Sequence, residues 1–473
     1  MVVLIRYAEP AIKRGRTREE MEALLVRSIR EAALKCGRLK FRLEPGRIYV
    51  YSDDDICTAR AASRVFGVRS ASPAYELDFS DLDDLANKIA EIWRGQVVGR
   101  TFAVRPHRVG VHNFTSRDVA ARIGELLVKS GGKVDLEDPQ VEVFVEVREN
   151  KAYTYRDLYE GPGGLPLGSE GKVLALVSGG IDSPVAAWYI MRRGAYADVF
   201  YCNLGGSLTE AAALRVIDRL LEWSYGYDAK VLVADCAPIA DSIRRFVDHH
   251  LWSIAFKRAL YRLAERAARL VRAEALVTGE SLGQVSSQTL QALAAVELGV
   301  DMPVFRPLIG LDKEEIVKMA QKIGTYELSV SVPEYCGIFS KEPRRWASRQ
   351  EVEYIDLYVY DAVEEAYRSI KTIKKSELKS ALMQVGRTAE GLVIHEVPEG
   401  AVLVDLRDQK DYAKWHLPGA IRIDLDRVFD FVEREGRDKT YVFYCYEGAL
   451  SADVAERLRK SGYKAYSLGL TIH

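Results

Sequence analysis

The stretch that decides the fold is Val173-Leu174-Ala175-Leu176-Val177-Ser178-Gly179-Gly180-Ile181-Asp182-Ser183-Pro184. Its first five residues are apolar and end at a glycine turn, which predicts a buried β-strand. A helix is predicted to start near Val185. Glycines let successive backbone N–H groups face one way, and a helix N-terminus carries positive potential. The stretch therefore predicts a strand–turn–helix unit that binds phosphate.

Three side chains add specific chemistry to this turn. Ser178 and Ser183 can donate hydroxyl hydrogen bonds, whereas the Asp182 carboxylate fits beside phosphate if it holds Mg²⁺ or orients the loop. The Gly-Lys-Ser/Thr ending of a Walker loop is absent, so cleavage of the terminal phosphate is not favoured. Two glycines alone would also fit a plain βα turn with an N-cap.

Around this turn the pattern is typical of an α/β protein with several domains. Short apolar runs alternate with longer helical stretches between residues 172 and 345, which predicts a doubly wound parallel sheet. Helices are expected after a cap at Thr17 and after a cap at Thr115 or Ser116. Residues 349–385 are expected to be a charged helical connector. The predicted domain boundaries are 1–60, 61–168, 169–348, 349–390 and 391–473.

Composition excludes several classes of protein. The 473 residues carry 67 Lys plus Arg against 68 Asp plus Glu, so no global basicity indicates a nucleic-acid partner. The apolar runs are too short for a membrane helix, and the N-terminus lacks the apolar core of a signal peptide. Six cysteines without a Cys-x-x-Cys pair exclude a disulfide scaffold and the common zinc and iron–sulfur spacings. We expect a cytosolic protein with reduced thiols and no metal-ligand residues.

Two cysteines have surroundings that favour reactivity. Cys336 lies in a Pro-Glu-Tyr-Cys-Gly stretch, and the basic residues that follow it favour the thiolate. Cys445 ends a predicted strand and opens a turn into a helix, where converging backbone N–H groups would stabilise a thiolate or a persulfide anion. A lone cysteine is more often a small buried apolar residue, and that alternative stays open for each.

Several of these motifs resemble known families. Residues 178–184 are similar to the PP-loop of ATP pyrophosphatases, which split ATP into AMP and pyrophosphate while adenylating an oxygen. Residues 391–473 resemble a rhodanese domain, whose cysteine carries sulfur as a persulfide, although Leu450 stands where many rhodaneses have an arginine. With the stretch 278–290, the whole chain resembles the tRNA 4-thiouridine synthetases, a family of tRNA sulfurtransferases.

This resemblance implies a fold and an activity. It implies a ferredoxin-like N-terminal domain, a THUMP domain that binds tRNA, a PP-loop domain with a doubly wound parallel sheet, and a small α/β rhodanese domain. ATP would activate uridine 8 of tRNA at its C4 oxygen, and sulfur would replace that oxygen. The candidate tRNA contacts are Lys13, Arg14, Arg16, Arg18, Arg105 and Arg108.

The resemblance also implies the sites for ATP and sulfur. ATP with Mg²⁺ would contact Leu176, Val177, Ser178, Gly179, Gly180, Asp182, Ser183, Asn203, Leu204, Arg258 (or its neighbour Lys257), Gly279 and Gln288. Asp182, Cys336 and Cys445 are the expected catalytic residues. Cys445 would carry the persulfide, and Cys336 would resolve it through a transient Cys336–Cys445 disulfide that a cellular reductant resets.

The same resemblance names partners. It implies a cysteine desulfurase as sulfur donor, a homodimer as the assembly of many relatives, and a carrier protein for thiamine thiazole synthesis as a second sulfur acceptor. Relatives that use an iron–sulfur cluster hold it with a Cys-x-x-Cys pair, so no cluster is expected here. Two rival functions are an amide-forming PP-loop ligase, which would not need Cys445, and a non-catalytic RNA-binding module, which would not need an intact turn at 178–183.

Overall fold

The computed structural model describes residues 1–7, 9–332, 343–446 and 448–469. Packing divides the chain into two units, one of Met1–Ser169 with Arg192–Gly194 and the other of Glu170–Met191 with Ala195–His473. Over the ranges described, no helix combines the length and the apolar character needed to cross a bilayer.

The first unit is built on one mixed sheet. Its strands are β1 (Val2–Tyr7), β2 (Leu39–Glu44), β3 (Arg47–Ser52), β4 (Val68–Asp78), β5 (Thr101–Val109), β6 (Lys133–Val134), β7 (Val141–Arg148), β8 (Lys151–Tyr155) and β9 (Tyr159–Glu160). Its helices are α1 (Glu9–Ile12), α2 (Gly15–Ala32), α3 (Asp55–Ala62), α4 (Leu82–Val97) and α5 (Ser116–Lys129). The strand order is β2-β3-β1-β4-β8-β7-β5-β6, and β9 pairs with β4.

The long strand β4 joins the two front domains. Its first half pairs with β1, where Ala74 faces Val2, and its second half pairs with β8, where Tyr75 faces Thr154. Both pairings are antiparallel. The boundary predicted at residue 60 falls inside α3, and a shared strand explains why the sequence shows no linker there.

The two predicted helix starts in this unit have different outcomes. The prediction for α5 is confirmed, because Thr115 caps it and exchanges hydrogen bonds with Asp118 in a capping box. The prediction for α2 is wrong, because the helix begins at Gly15 and its N-cap, Arg14, makes no side-chain cap. Gly15 has a φ of +56°, a left-handed conformation that turns the chain into the helix two residues before Thr17.

The second unit contains the predicted doubly wound domain. Its strands are β10 (Lys172–Leu176), β11 (Tyr196–Asn203), β12 (Lys230–Asp235), β13 (Ala275–Val277), β14 (Val304–Phe305) and β15 (Lys371–Lys374). Its helices are α6 (Asp182–Arg192), α7 (Gly206–Leu221), α8 (Ala237–Phe246), α9 (Trp252–Val271), α10 (Leu290–Glu297), α11 (Lys313–Ile323), α12 (Tyr326–Ser329), α13 (Arg349–Arg368) and α14 (Leu378–Glu390). The order is β14-β13-β10-β11-β12-β15, and the first five strands are parallel, so the prediction of a parallel sheet is confirmed.

The expected helical connector is part of this domain, which corrects the sequence analysis. β15 lies inside the segment expected to be helical and pairs antiparallel with β12 at the edge of the sheet. α13 packs against α8 and α9, with Val352, Ile355 and Val359 in the core. α14 packs against α7. Arg349 and Glu353 on the outer face of α13, with Lys371 and Lys374 on the edge strand, are exposed and gave the segment its solvated character.

The rest of the second unit is a small parallel α/β domain, as predicted. Its elements are β16 (Val393–Ile394), β17 (Val402–Asp405), α15 (Gln409–Lys414), β18 (Ile421–Arg422), α16 (Val428–Glu435), β19 (Thr440–Tyr444), α17 (Ala449–Lys460) and β20 (Lys464–Leu468). The strand order is β16-β20-β19-β17-β18, and all four pairings are parallel. Cys445 follows the central strand β19 directly.

The expectation of reduced thiols is wrong for four of the six cysteines. Cys36 and Cys57 form a disulfide in the first unit, and Cys202 and Cys236 form one in the second. Both pairs are distant in sequence, so no short-range spacing pointed to them. Cys445 is free and buried. Cys336 lies outside the described residues.

A buried ion pair fastens α13 to α9. The Arg258 side chain is only 2% exposed and makes two parallel hydrogen bonds to Asp356, at 2.8 and 2.6 Å. Arg258 also donates to the carbonyl oxygens of Val296 (3.1 Å) and Leu298. All of these acceptors belong to the protein, so the guanidinium is engaged within the core.

Asp356→Ala should lower the free energy of unfolding by about 3 kcal/mol, because it leaves the buried Arg258 charge without its partner. The control is Glu353→Ala on the same helix, whose pair with Arg349 is exposed. That variant should lose less than about 0.5 kcal/mol. Urea unfolding followed by circular dichroism compares the two. Equal losses would contradict a core role for the Arg258–Asp356 pair.

Candidate functional site

The glycine turn after β10 is held by its own serines. The Ser183 hydroxyl accepts a hydrogen bond from the Ser178 N–H at 2.9 Å and lies 3.1 Å from the Ser178 hydroxyl. The Ser178 hydroxyl accepts from the Gly180 N–H at 3.3 Å. Helix α6 starts at Asp182, so the turn lies at the N-terminus of a helix and at the carboxyl end of a parallel strand. This is the geometry that binds phosphate.

The loop after β13 closes over the turn because Gly279 has no side chain. A Cβ on Gly279 would lie 2.7 Å from both the Cα and the N of Ser183, closer than real Cβ contacts. On the other side, a Cβ on Gly179 would collide with the side chain of Val332. Val332 is the last described residue before the segment that carries Cys336. The turn is therefore packed tightly between two other loops.

Asp182 is the charged centre of the site. Its two oxygens accept hydrogen bonds from Lys313 Nζ at 2.6 Å and from Gln284 Nε2 at 2.8 Å. Lys313 is the first residue of α11, and Gln284 lies in the loop after β13. Sequence reasoning assigned no role to either residue. A lysine at the start of an amphipathic helix carries no signal of its own, because only the fold brings it to Asp182.

A second carboxylate, Glu280, fixes the loop that carries Gly279. It is 5% exposed and accepts hydrogen bonds from Tyr261 (2.7 Å), Thr278 (2.6 Å) and Arg306 (3.0 Å), with Lys257 Nζ at 3.3 Å. Burial would raise the pKa of Glu280, but the Lys257 charge and these donors hold it below its ordinary value. The Glu280 carboxylate is therefore ionised, and its hydrogen bonds hold the loop that carries Gly279.

The other predicted ATP contacts occupy different environments. Leu176 and Val177 end β10 and are buried, and the Val177 N–H donates to the Phe200 carbonyl at 3.0 Å. Gln288 is buried, and its carbonyl oxygen accepts from the Ser281 N–H at 3.4 Å, so it braces its own loop. Asn203 and Leu204 lie at the end of the neighbouring strand β11.

Arg258 and Lys257 differ in their surroundings. The Arg258 side chain is 2% exposed and occupied by Asp356 and two backbone carbonyls, whereas the Lys257 side chain is 22% exposed and reaches Glu280 beside the turn. Of the two alternatives left open by the sequence, Lys257 is the better placed for a ligand at the turn.

The candidate tRNA contacts near α2 are on the surface. Lys13, Arg14 and Arg16 are exposed, and Arg18 is half-buried. Arg16 forms an exposed pair with Glu20 at 2.8 Å. This cluster surrounds the start of the helix, as the basic sequence suggested.

Arg105 and Arg108 do not form one patch. Both lie within β5, which runs from Thr101 to Val109. Side chains three apart in a strand project from opposite faces. Arg105 pairs with Glu142 at 3.0 Å, and Arg108 donates to the carbonyl of Gly110 at 3.0 Å.

Cys445 lies in a shielded cradle. It is 6% exposed, and its Sγ accepts from the Ser451 N–H at 3.4 Å and lies 3.4 Å from the Ser451 hydroxyl. Ser451 is in the first turn of α17, so the sulfur faces the N-terminus of a helix. Such a position favours an anion on sulfur. Leu450, which replaces an arginine, packs partly against the core of the small domain.

The small domain packs on the doubly wound domain through α17. The Glu456 carboxylate accepts from the Ser207 N–H at 2.7 Å, in the first turn of α7, and Arg457 pairs with Asp241 of α8 at 3.0 Å. Asp453, one turn before Arg457, is 5% exposed. Burial raises the pKa of Asp453 to about 7, and the charges of Asp235, Glu456 and Asp241 add to the effect against Arg457.

Comparison with known proteins gives the family. The chain is 60% identical to a tRNA sulfurtransferase of Pyrobaculum aerophilum over 99% of its own length and 97% of that protein. It is 39% identical to a tRNA sulfurtransferase of Thermoplasma volcanium over 98% and 94% of the two chains. The chain belongs to the tRNA sulfurtransferase family. Its enzymatic class and the resemblance stated from the motifs are thereby confirmed.

Four family models match in the expected order along this sulfurtransferase. They are the ThiI ferredoxin-like domain (residues 2–72), the THUMP domain (78–157), the thiamine biosynthesis protein ThiI (168–359) and the rhodanese-like domain (393–469). The predicted fold classes are confirmed. The match at 168–359 extends into α13, in agreement with the packing of that helix on α9.

A similar solved structure contains bound ligands. A 4-thiouridine synthetase in complex with RNA and ATP is similar with a TM-score of 0.68 and 29% identity, over 79% of this chain and 99% of that one. That protein was therefore crystallised with both ligands that the motifs of this sulfurtransferase suggest.

Asp453 should make the sulfurtransferase less stable as the pH rises. The folded-state pKa of about 7 lies above the ordinary value near 3.9, so the folded protein binds the proton more tightly. The stabilisation is complete below about pH 4 and is lost as the pH rises through 7. From pH 5.5 to 8 it amounts to about 2 kcal/mol.

The measurement is thermal unfolding at both pH values. Asp453→Asn should remove this part of the pH dependence, whereas Asp430→Asn on the exposed face of α16 should keep it. If Asp453→Asn showed the same change of melting temperature between the two pH values as wild type, the buried, protonated state of Asp453 would be contradicted.

Proposed function

We propose that this sulfurtransferase makes 4-thiouridine at uridine 8 of tRNA, with ATP activating the C4 oxygen and a Cys445 persulfide supplying sulfur. The observation that carries the proposal is the presence in one structural unit of a phosphate-binding turn with a paired carboxylate and a shielded cysteine at a helix N-terminus. A phosphate site activates the oxygen, and the cysteine supplies the nucleophile that replaces it.

The activation step belongs to the turn after β10. The C4 oxygen of uridine attacks the α-phosphorus of ATP, pyrophosphate leaves, and C4 then carries AMP as a leaving group. The N–H groups of the turn would stabilise the charge on the phosphates. The Lys313 side chain is 48% exposed at the rim of the site, so its ammonium group would be able to turn from Asp182 to the phosphates of a bound ATP.

The residues present fit a bound Mg²⁺. Asp182 is a carboxylate at the phosphate turn whose Oδ1 already holds one cation, the Lys313 ammonium, at 2.6 Å. Mg²⁺ is usually held by one or two carboxylates together with substrate phosphates. Bound there with ATP, the ion would supply positive charge to the leaving pyrophosphate.

Sulfur transfer requires balanced electrons. The terminal sulfur of the Cys445 persulfide attacks C4 and displaces AMP, leaving a C4–S–S–Cys445 link. The Cys336 thiolate then attacks Cys445 Sγ, so 4-thiouridine leaves as the reduced product and the two cysteines become a disulfide. A cellular dithiol must reduce that disulfide before the next turnover. The role of Cys336 rests on the sequence alone.

tRNA would bind through the first unit. The exposed basic side chains around the start of α2 fit recognition of RNA by shape and phosphate contact. The match to the THUMP model supports a role of this unit in binding tRNA. Arg105 and Arg108 would contribute from opposite faces of β5. The proposed further partners are a cysteine desulfurase as donor, a carrier protein for thiazole synthesis and a second copy of the chain. The proposed site of action is the cytoplasm, without an iron–sulfur cluster.

The direct test is mass analysis of nucleosides from unmodified tRNA incubated with the protein, ATP, Mg²⁺ and a persulfide donor. 4-Thiouridine at position 8 is the expected product. An amide-forming ligase would instead release AMP without tRNA when given a carboxylic acid and an amine. That result, with unmodified tRNA, would overturn the proposal.

Asp182→Asn and Lys313→Ala should each lower tRNA-dependent AMP formation by about 10²-fold or more, because each removes a charge at the phosphate site. Binding of tRNA should change little. The control is Lys318→Ala on α11, whose side chain is 76% exposed and 4.0 Å from Glu314. Normal AMP release by Asp182→Asn would rule out the assignment of the turn.

Cys445→Ser should accept no persulfide, and Cys336→Ser should accept one but fail to turn over, because the C4–S–S–Cys445 link is not resolved. Mass spectrometry of the protein and of the tRNA measures both outcomes. Wild-type protein after one turnover without reductant should show a Cys336–Cys445 peptide link. Repeated turnover by Cys336→Ser without added reductant would exclude the disulfide mechanism.

A further inference from the structure

The Cys202–Cys236 disulfide joins two interior strands at the carboxyl end of the parallel sheet, the end at which the phosphate turn lies. Cys202 is the penultimate residue of β11, and Cys236 follows the last residue of β12. These strands are parallel neighbours, and the Cys236 N–H extends the ladder by donating to the Asn203 carbonyl at 2.8 Å. The disulfide, with a Cα–Cα distance of 5.6 Å, therefore joins the two strands at their carboxyl ends. The phosphate turn lies at the same end of the adjacent strand β10.

The residue next to this disulfide organises the loop that follows. The Asn203 side-chain oxygen accepts from the Gly205 N–H and from the Thr209 hydroxyl, both at 3.2 Å. Its amide donates to Glu210 at 2.9 Å. Leu204 is 6% exposed and belongs to the same core cluster as Cys236. The loop 203–206 is thus tied to α7 on one side and, through Cys202, to β12 on the other.

We propose that the Cys202–Cys236 disulfide is a positioning element for the nucleotide loop, residues 203–206, and that affinity for ATP depends on it. The inference rests on the proposed function, because Asn203 and Leu204 are nucleotide contacts only if ATP binds at this end of the sheet. The disulfide itself contacts no reacting atom. It acts by holding the end of β11, and therefore the loop, in the conformation that receives the nucleotide.

The physical basis is the population of the competent loop. Without the disulfide, only hydrogen bonds join the carboxyl ends of β11 and β12, so the loop that follows β11 is free to sample other conformations. The apparent dissociation constant for ATP equals the intrinsic constant divided by the fraction of molecules whose loop is in the competent conformation. Once ATP is bound the loop is ordered again, so the rate of the bound complex changes little.

The second disulfide provides a matched control. Cys36–Cys57 closes 21 residues and Cys202–Cys236 closes 34. Chain-entropy stabilisation depends only on the logarithm of the closed length, so the two disulfides restrict the unfolded chain almost equally. A purely structural role would therefore give similar losses of stability and no difference in the use of ATP.

The redox chemistry of the Cys202–Cys236 disulfide is separate from the catalytic cycle. A dithiol that reduces Cys202–Cys236 gives two thiols on the protein and is itself oxidised to a disulfide. Cys236 is fully buried, so a dithiol can attack this pair only at the half-buried Cys202. The reductant that resets Cys336–Cys445 should accordingly leave the Cys202–Cys236 disulfide oxidised during turnover.

The test uses the full chain and follows tRNA-dependent AMP formation. Cys202→Ser with Cys236→Ser should raise KM for ATP about five- to tenfold, with kcat within twofold of wild type. Cys36→Ser with Cys57→Ser should leave KM for ATP unchanged while lowering the melting temperature by a similar amount. If the first double variant does not fold, wild type reduced by a strong dithiol under native conditions replaces it, with thiol mapping to confirm which pair is open and reoxidation to restore KM.

Each outcome decides the proposal. An unchanged KM for ATP after loss of the Cys202–Cys236 bond would overturn the positioning role, as would a persulfide on Cys202 or Cys236 during turnover. Failure of wild-type protein to form AMP from ATP with tRNA would refute the proposed function instead. The two failures are therefore distinguishable.

Discussion

The absence of a side chain at Gly279 is the constraint on which the site depends. Its Cα approaches the backbone of Ser183 so closely that any Cβ would collide with it. This approach brings the loop after β13 against the phosphate turn, and Gln284 of that loop reaches Asp182 at 2.8 Å. A larger residue at 279 would move the loop outward and would separate Gln284 from the carboxylate it orients.

Charge balance then decides which carboxylates are structural and which are open to a ligand. Glu280 is buried, with three donors of the fold bonded to its Oε2 and Lys257 Nζ at 3.3 Å from its Oε1. Among the described residues, Asp182 is held by the flexible ends of a lysine and a glutamine, and its side chain is 21% exposed. A ligand can replace the first partner of Asp182 without leaving a buried charge unpaired, whereas the same exchange at Glu280 would leave one. The two carboxylates lie in the same loop cluster but have different functions for this reason.

The sequence predicted the parallel core well because buried strands and phosphate turns leave local signals. β10 was located to within one residue by its apolar run, and the turn at 178–183 by its glycines. The errors lie where tertiary contacts override local pattern. β15 was read as helical because Lys371, Lys374 and Lys375 hide a short edge strand. Nothing local shows that Arg258, a predicted ATP contact, pairs with Asp356. Lys313 and both disulfides were missed for the same reason, since their partners are distant in the chain.

The packing of α17 on α7 restricts how sulfur can reach the phosphate turn. Cys445 is 6% exposed, so a persulfide formed there would be largely shielded in the packed arrangement. Since α13, β15 and α14 are part of the doubly wound domain, they do not form the separate helical connector that the sequence predicted. The chain passes from α14 to the small domain at Gly391, and Leu392 is already buried in the core of that domain. A movement of the small domain that turned about Gly391 would break the Glu456–Ser207 and Arg457–Asp241 contacts. Deprotonation of Asp453 would add negative charge to an interface that already contains Asp235, Glu456 and Asp241, against the positive charge of Arg457, so it would weaken the packing of α17 on the doubly wound domain.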